Sequence, residues 1–397
     1  MRDVLGPDEI VVFVEGPTMI GAMPVVNRCY QSIIEFCTPL DGSYRIKAVL
    51  LRRGYQGLNE LSTEYPEIKY QVLFDREVTL IGSGQCEDPM WTAVNLKNVN
   101  TSRIPRCIDT LKNDKRDLPL RTSIALDNLN SCARSVVNYK WVDPHLPILP
   151  DVSTLRSTYF SRKKILLIGD SHIRTFTNYF IRWLCQVCWS HIIINPLILS
   201  NILNLYIEFV FYIIYIAQFQ GDAFPKYSGS TMNPGICENL TLDFRMIEGC
   251  DHSMLPEKGV YDLILFNCGQ HPADGRHHWS GAQYKQTILD VIKHVHSKQY
   301  NGEFFWVETP AATFRNDNWV VQFTDWRTQS RMKFFNAIAN KQMKEVGIGI
   351  IPCYSMTQAL VDKLCDNAHY PFQGTLDGQV GYVVNHFIKL INGKKYI

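Results

Sequence analysis

The chain lacks an excess of charge of either sign. Its 40 Lys and Arg stand against 38 Asp and Glu, a net +2 over 397 residues, which argues against a nucleic-acid partner. No RNP, zinc-finger or Walker pattern is present, so the common nucleic-acid and phosphate-loop modules are excluded too. His271, Asp274, His277 and His278 show neither zinc-ligand spacing nor a helical i, i+4 pair. No metal is expected there, and substrate or structural roles are. Cys185-x-x-Cys188 falls at the end of a predicted helix rather than at its start, where a redox pair sits, so coincidence is the better reading. The opening Met1-Arg2-Asp3-Val4-Leu5-Gly6-Pro7 has no basic n-region or apolar h-region and carries no signal peptide. That leaves a cytosolic protein or a true start lying upstream. No internal repeat and no CoA-binding signature is visible, and no cofactor is required.

What is present is globular material. Hydrophobic residues make up 46% and charged residues 20%, enough for a real core, and the length suggests two domains or one with an appendage. Twelve cysteines are many for a cytosolic enzyme and fit an oxidising compartment, though their connectivity stays open. Two sequons, Asn100-Thr101-Ser102 and Asn239-Leu240-Thr241, permit N-glycosylation in the secretory pathway.

Residues 1–100 read as β structure, with strands expected at 10–14, 44–50, 70–74 and 78–81. Short strands between turn residues suggest a β-sandwich of immunoglobulin or filamin type. Residues 101–158, polar with scattered prolines, read as a connector. From 159 to 397 strands and helices alternate: strands at 164–168, 261–266, 303–307 and 348–351, helices at 175–185, 283–296, 325–346 and 379–391. That alternation means an α/β fold, a parallel sheet with helices on both faces.

The chemistry is carried by two short segments. Gly169-Asp170-Ser171 closes the apolar run Lys164-Ile165-Leu166-Leu167-Ile168 and opens a helix, which presents a serine hydroxyl at the C-terminal edge of a parallel sheet. Asp366-Asn367-Ala368-His369 follows the last strand, where one segment delivers a base and its orienting carboxylate over the first strand's loop. Ser171 would be the nucleophile, His369 its base and Asp366 the group fixing the imidazole tautomer. Each segment alone is weak: the serine could simply cap a helix, and an Asp–His pair is often only a surface hydrogen bond. The sheet-edge run Asn267-Cys268-Gly269-Gln270-His271 supplies candidate oxyanion donors in the Gly269 N–H and the Gln270 or His271 side chain, beside the Ser171 N–H. A structural turn would read the same way. Arg174, Asn267, Trp326 and Arg327 are candidate substrate contacts, since Trp and Arg near a sheet edge suit sugar stacking and hydrogen bonding as well as plain packing.

Gly169-Asp170-Ser171-x-x-Arg174, Asn267-x-Gly269 and Asp366-x-x-His369 together resemble the PC-esterase branch of the SGNH/GDSL hydrolases, most closely the neurexophilin/PC-esterase (NXPE) proteins. The resemblance covers about residues 160–397 and reaches the N-terminal part by architecture alone. It implies an SGNH-type three-layer α/β/α sandwich, the Ser171-His369-Asp366 triad, and acetyl-ester chemistry on a glycan in the secretory pathway, in the Golgi lumen or outside the cell. Where SGNH hydrolases carry Gly-x-Asn in their third block this chain reads Gly269-Gln270-His271, which leaves the usual Asn donor unassigned. The second-block glycine is not placed between residues 219 and 258. Transferase and esterase share every residue named and differ in whether water or a sugar hydroxyl meets the acyl-enzyme; the acetyl donor is open. The alternative is a non-enzymatic glycan-binding or adhesion protein that keeps the fold. Membrane association is not established.

Residues 187–218 stand apart. No Lys or Arg occurs between Arg182 and Lys226, and Glu208 is the only charge of the segment. A membrane span there would put Ser171 and His369 on opposite sides of a bilayer. The Ile, Leu, Asn, Tyr and Phe content matches AT-rich codons, and the segment begins with Val and ends with Gln, as an in-frame unspliced intron bounded by GT and AG would. A hydrophobic insertion is the rival expectation.

Overall fold

The computed structural model of the chain describes residues 8–22, 26–28, 31–52, 68–84, 86, 88–93, 139–185, 227–228, 240–247, 249–273, 279–300, 304–312, 327–361, 370 and 373–392. The suspect segment 187–218 and the site candidates Trp326, Asp366 and His369 lie outside them, as do Asp274, His277 and His278.

The N-terminal part contributes β1 (Glu9–Glu15), β2 (Thr18–Ala22), β3 (Val26–Arg28), β4 (Gln31–Ile33), β5 (Gly42–Arg52), β6 (Ile68–Leu80), β7 (Met90–Ala93) and β8 (Tyr139–Val142). Six of these form one antiparallel sheet in the order β6-β5-β1-β2-β7-β8, and β3 pairs with β4 alone. The two strands expected at 70–74 and 78–81 are one continuous β6. β8 comes from the stretch read as connector. A second sheet facing the first, as a sandwich needs, is not found among the described residues.

The α/β unit runs β9 (Lys164–Gly169), α1 (Ser171–Cys185), β10 (Tyr227–Ser228), β11 (Thr241–Met246), β12 (Leu263–Phe266), α2 (Gln270–Ala273), α3 (Gly281–Lys298), β13 (Phe304–Val307), α4 (Gln329–Glu345), β14 (Gly349–Ile351), α5 (Tyr354–Gln358) and α6 (Gln373–Ile391). Its sheet has the order β10-β11-β9-β12-β13-β14. The five strands from β11 to β14 are parallel, and β10 adds antiparallel at one edge. Side chains alternate across this sheet, yet both faces are apolar. Ile165, Leu167, Leu263 and Leu265 pack with Phe176 and Phe180 of α1 and Val383 and Phe387 of α6. Leu166, Ile264, Phe266 and Trp306 pack with Tyr284 and Ile288 of α3 and Phe335 of α4. A sheet buried on both faces reads as unbroken apolar strands, and the result is three layers, α/β/α.

The N-terminal sheet buries its own apolar face on this unit. Val11, Phe13, Met19 and Trp91 share a core with Met332, Phe335 and Tyr354. Trp91 Nε1 donates to the Met356 carbonyl at 2.9 Å, and Glu9 Oε1 accepts the Ser330 N–H in the first turn of α4 at 2.9 Å.

One expectation changes and one strand was missed. The closing helix begins at Gln373, well before Gly378. Gly378, just ahead of the helix expected at 379–391, lies within it: a β-carbon there would lie 2.7 Å from Met356 Sδ and 3.0 Å from Trp141 Cδ1, so glycine lets α6 pack closely. The second parallel strand, β11, was not legible because Asp243 and Arg245 interrupt its apolar pattern. Each finds a partner inside: Asp243 Oδ2 accepts from the Tyr261 hydroxyl at 2.5 Å, while its Oδ1 stays buried without one, and Arg245 Nη1 donates to the Met254 carbonyl at 2.5 Å.

Candidate active site

Counted from β9, the parallel strands lie in the order 2-1-3-4-5, so the chain reverses its winding between β9 and β12. In doubly wound sheets the crevice beyond the strand ends at that reversal is the usual ligand site. Ser171 follows β9 and Gly269 follows β12, one on each side of it.

The turn from β9 into α1 is built by three residues. Gly169 admits the close fold-back, since a β-carbon there would lie 2.4 Å from Ile173 Cγ1. Asp170, only 2% exposed, acts as the N-cap. Its Oδ1 accepts the His172 N–H at 2.8 Å, one of the donors a helix start leaves open, and its carbonyl accepts the Arg174 N–H at 3.1 Å as the first bond of the helix. Asp170 Oδ2 is buried with no hydrogen-bond partner. Ser171 is then the first residue of a 15-residue helix, half-buried, in the positive end of the helix dipole, which favours developing negative charge. Arg174, one turn on, is half-buried.

Across the reversal point, the Asn267 N–H donates to Ile168 O at 2.9 Å, locking the β12 loop to β9. Asn267 is 0% exposed, and its Nδ2 donates to Val307 O at 2.9 Å and Thr309 Oγ1 at 3.3 Å. Its amide nitrogen thus holds the loop, while its Oδ1 is buried with no hydrogen-bond partner. Gln270 is likewise buried and donates from Nε2 to the Pro310 carbonyl at 3.2 Å, so its amide is committed to the β13 loop rather than open to an oxyanion. His271 is half-buried. Gly269 packs against Thr309 so closely that a β-carbon would lie 2.1 Å from Oγ1. Arg327 is half-buried and directly precedes Thr328, the N-cap of α4.

Several supports were invisible in the sequence. A disulfide joins Cys250, past the end of β11, to Cys268 in the β12 loop, and so ties together the two loops that flank the end of β9. Gly249 stands beside it, in the loop that follows β11. With β11 unrecognised, the disulfide could not be assigned. Thr309 is held by Asn336, whose Oδ1 accepts the Thr309 N–H at 2.9 Å while its Nδ2 donates to the Thr309 carbonyl at 2.8 Å. The buried Arg331 donates from Nε to Ala273 O at 2.9 Å and from Nη2 to Trp279 O, fixing the chain on both sides of residues 274–278. The Cys353 thiol, buried beneath the edge, accepts from Gln379 Nε2 at 2.7 Å. Burial pushes its pKa up, with the Glu308 and Asp170 carboxylates adding to the effect, so it is an unreactive thiol and no rival nucleophile.

Among the described residues no cluster of three or more His, Cys, Asp or Glu could hold a metal ion, and no helix is long and apolar enough to cross a membrane. No protein-family model and no curated protein matches the chain. Among solved structures it is similar to the lipase/acylhydrolase from Enterococcus faecalis, with 13% identity and a TM-score of 0.32 over 59% of this chain and 97% of that one. A likeness of that size carries no argument about activity, and the site stands on its geometry.

Proposed function

We propose that the chain is a serine acyl-ester enzyme acting on O-acetylated glycans, as an O-acetyltransferase or O-acetylesterase. The observation that carries this reading is the position of Ser171: first residue of a long helix, at the reversal point of a 2-1-3-4-5 parallel sheet. Ser171 Oγ attacks the acetyl carbonyl while His369 takes its proton and Asp366 holds the imidazole. The N–H groups of Ser171 and Gly269 receive the oxyanion, with Gly249 taking the place of the second-block glycine and His271 the remaining side-chain donor. The tetrahedral intermediate collapses to acetyl-Ser171, and the leaving alcohol takes the proton from His369. A water or a sugar hydroxyl, deprotonated by His369, then attacks the acetyl-enzyme and frees Ser171. Arg174, Arg327 and Trp326 are the candidate glycan contacts. The disulfides Cys37–Cys86 and Cys250–Cys268 support an oxidising, secretory compartment.

The experiment is acetyl release from an aryl acetate and from acetylated xylan, with and without an acceptor oligosaccharide. Ser171→Ala and His369→Ala should each abolish turnover to a similar degree, because triad members act as a unit. Undiminished turnover by a folded Ser171→Ala variant means that the nucleophile is elsewhere.

A further inference from the structure

Asp170 carries more than a helix cap requires. Its Oδ1 accepts the His172 N–H, a bond that a serine or asparagine in its place would also accept. Its Oδ2 is buried with no hydrogen-bond partner, in a residue that is almost wholly inside. An unpaired, buried carboxylate oxygen is destabilising, and each such exception in a native fold asks for an explanation. The positive end of the α1 dipole offsets part of the cost. It does not explain why a charged cap stands where a neutral one would serve.

Few charged or titratable groups stand near this carboxylate. His172 and Arg174 belong to its own helix, and Arg174 meets Asp170 through its backbone N–H. Across the edge lies the buried Cys353 thiol, on which the charges of Asp170 and Glu308 both act. That thiol takes its hydrogen bond from Gln379 Nε2. Glu308 is occupied by the Asn340 amide and by the N–H groups of Cys353 and Tyr354. The segment that carries the proposed base also comes close to the turn. The His172 ring lies 6.4 Å from the ring of Tyr370, centroid to centroid, and Tyr370 directly follows His369.

We propose that Asp170 is a positioning residue of the serine site, whose buried negative charge favours the cationic form of the His369 imidazole alongside Asp366. The proposal rests on the reading of Ser171 as nucleophile and His369 as its base. When Ser171 Oγ attacks the ester carbonyl, its proton passes to the imidazole and a positive charge appears there. A carboxylate fixed nearby, away from water, stabilises that charge without having to reorganise. Asp170 thus does two jobs through two oxygens: Oδ1 starts the helix that presents Ser171, and Oδ2 keeps its charge unspent.

The test is a histidine titration by NMR on the full chain with carbon-13-labelled imidazoles, the His369 signal being assigned by its loss in His369→Gln. Asp170→Asn keeps an oxygen to cap the helix and removes the charge. A unit charge at about 10 Å, with an effective dielectric of about 20, moves an imidazole midpoint by roughly one pH unit. The His369 midpoint should therefore fall by about one pH unit in Asp170→Asn, while that of the exposed His296 stays in place. Asp170→Ser, a second neutral cap, should shift His369 in the same direction. The acid limb of kcat/KM for an aryl acetate should move with it. The titration needs no turnover, so a failed acyl reading, seen as an unlabelled Ser171, is distinguishable from a failed inference here. A His369 midpoint that is unchanged or raised in either folded variant overturns the proposal.

Discussion

His172 and Tyr370 lie with their ring centroids 6.4 Å apart, although most of the α/β unit separates them in sequence. His172 follows Ser171 directly and Tyr370 follows His369 directly. Tyr370 is buried and its hydroxyl donates to the Ala311 carbonyl at 2.8 Å, so the chain just past the proposed base is anchored at the sheet edge that carries the proposed nucleophile. Removing that anchor loosens the base without touching it. Tyr370→Phe should cost about 1 kcal/mol of stability, the net worth of one buried hydrogen bond, and should lower kcat more than it raises KM for an aryl acetate. Urea unfolding and steady-state kinetics on the same preparation check both.

The parallel sheet and the serine's position were legible because a sheet buried on both faces writes itself as apolar runs: Lys164–Gly169 and Leu263–Phe266 are of that kind. β11 was not legible, since Asp243 and Arg245 break its apolar pattern and their partners, the Tyr261 hydroxyl and the Met254 carbonyl, belong to the loop that follows the strand. The same limit hid the Cys250–Cys268 disulfide, which can be assigned only once β11 is known. Asn267 and Gln270 have the residue types of a substrate site, and sequence alone cannot tell that their amides turn inward to β13 and its loop. The closing helix was expected only from residue 379, because Gly378 before it is a residue that often marks a helix boundary. Here the close approach of Trp141 and Met356 requires it.

Gly269 leaves no room for a side chain. With a β-carbon 2.1 Å from Thr309 Oγ1, Gly269→Ala must push the β12 loop away from the β13 loop, at an overpacking cost of about 1–3 kcal/mol. Acyl turnover should fall more than the stability loss explains, because the displaced N–H is a proposed oxyanion donor. Thr309→Ala in the Gly269→Ala background should restore part of both, read by thermal unfolding and kcat.

Breaking the Cys250–Cys268 link releases the two loops flanking Ser171. A bridge spanning 18 residues stabilises by about 3 kcal/mol through the unfolded chain. Cys250→Ser should therefore lower stability by that order and reduce turnover while leaving the secondary structure in place. Denaturant titration with far-ultraviolet circular dichroism decides it.

His386 predicts a pH dependence of stability. Burial pushes its pKa down to about 4 from an ordinary 6.5, against a hydrogen bond to Ile350 O that works the other way. The folded protein thus prefers the neutral ring. The stability contributed is fully present above the unfolded value of 6.5 and is lost as pH falls through the window from there toward 4. By linkage the loss between about pH 7.5 and pH 5 is roughly 2 kcal/mol. His386→Gln should flatten that slope in urea titrations at the two pH values. An equal slope in parent and variant would assign the dependence to other groups.

The central claim is that Ser171 is the nucleophile. Its most direct test is labelling of the folded chain with a fluorophosphonate, followed by peptide mapping. The account predicts one modified residue, Ser171, with labelling lost in Ser171→Ala and strongly slowed in His369→Ala. A folded protein that stays unlabelled, or one modified at another serine, contradicts it.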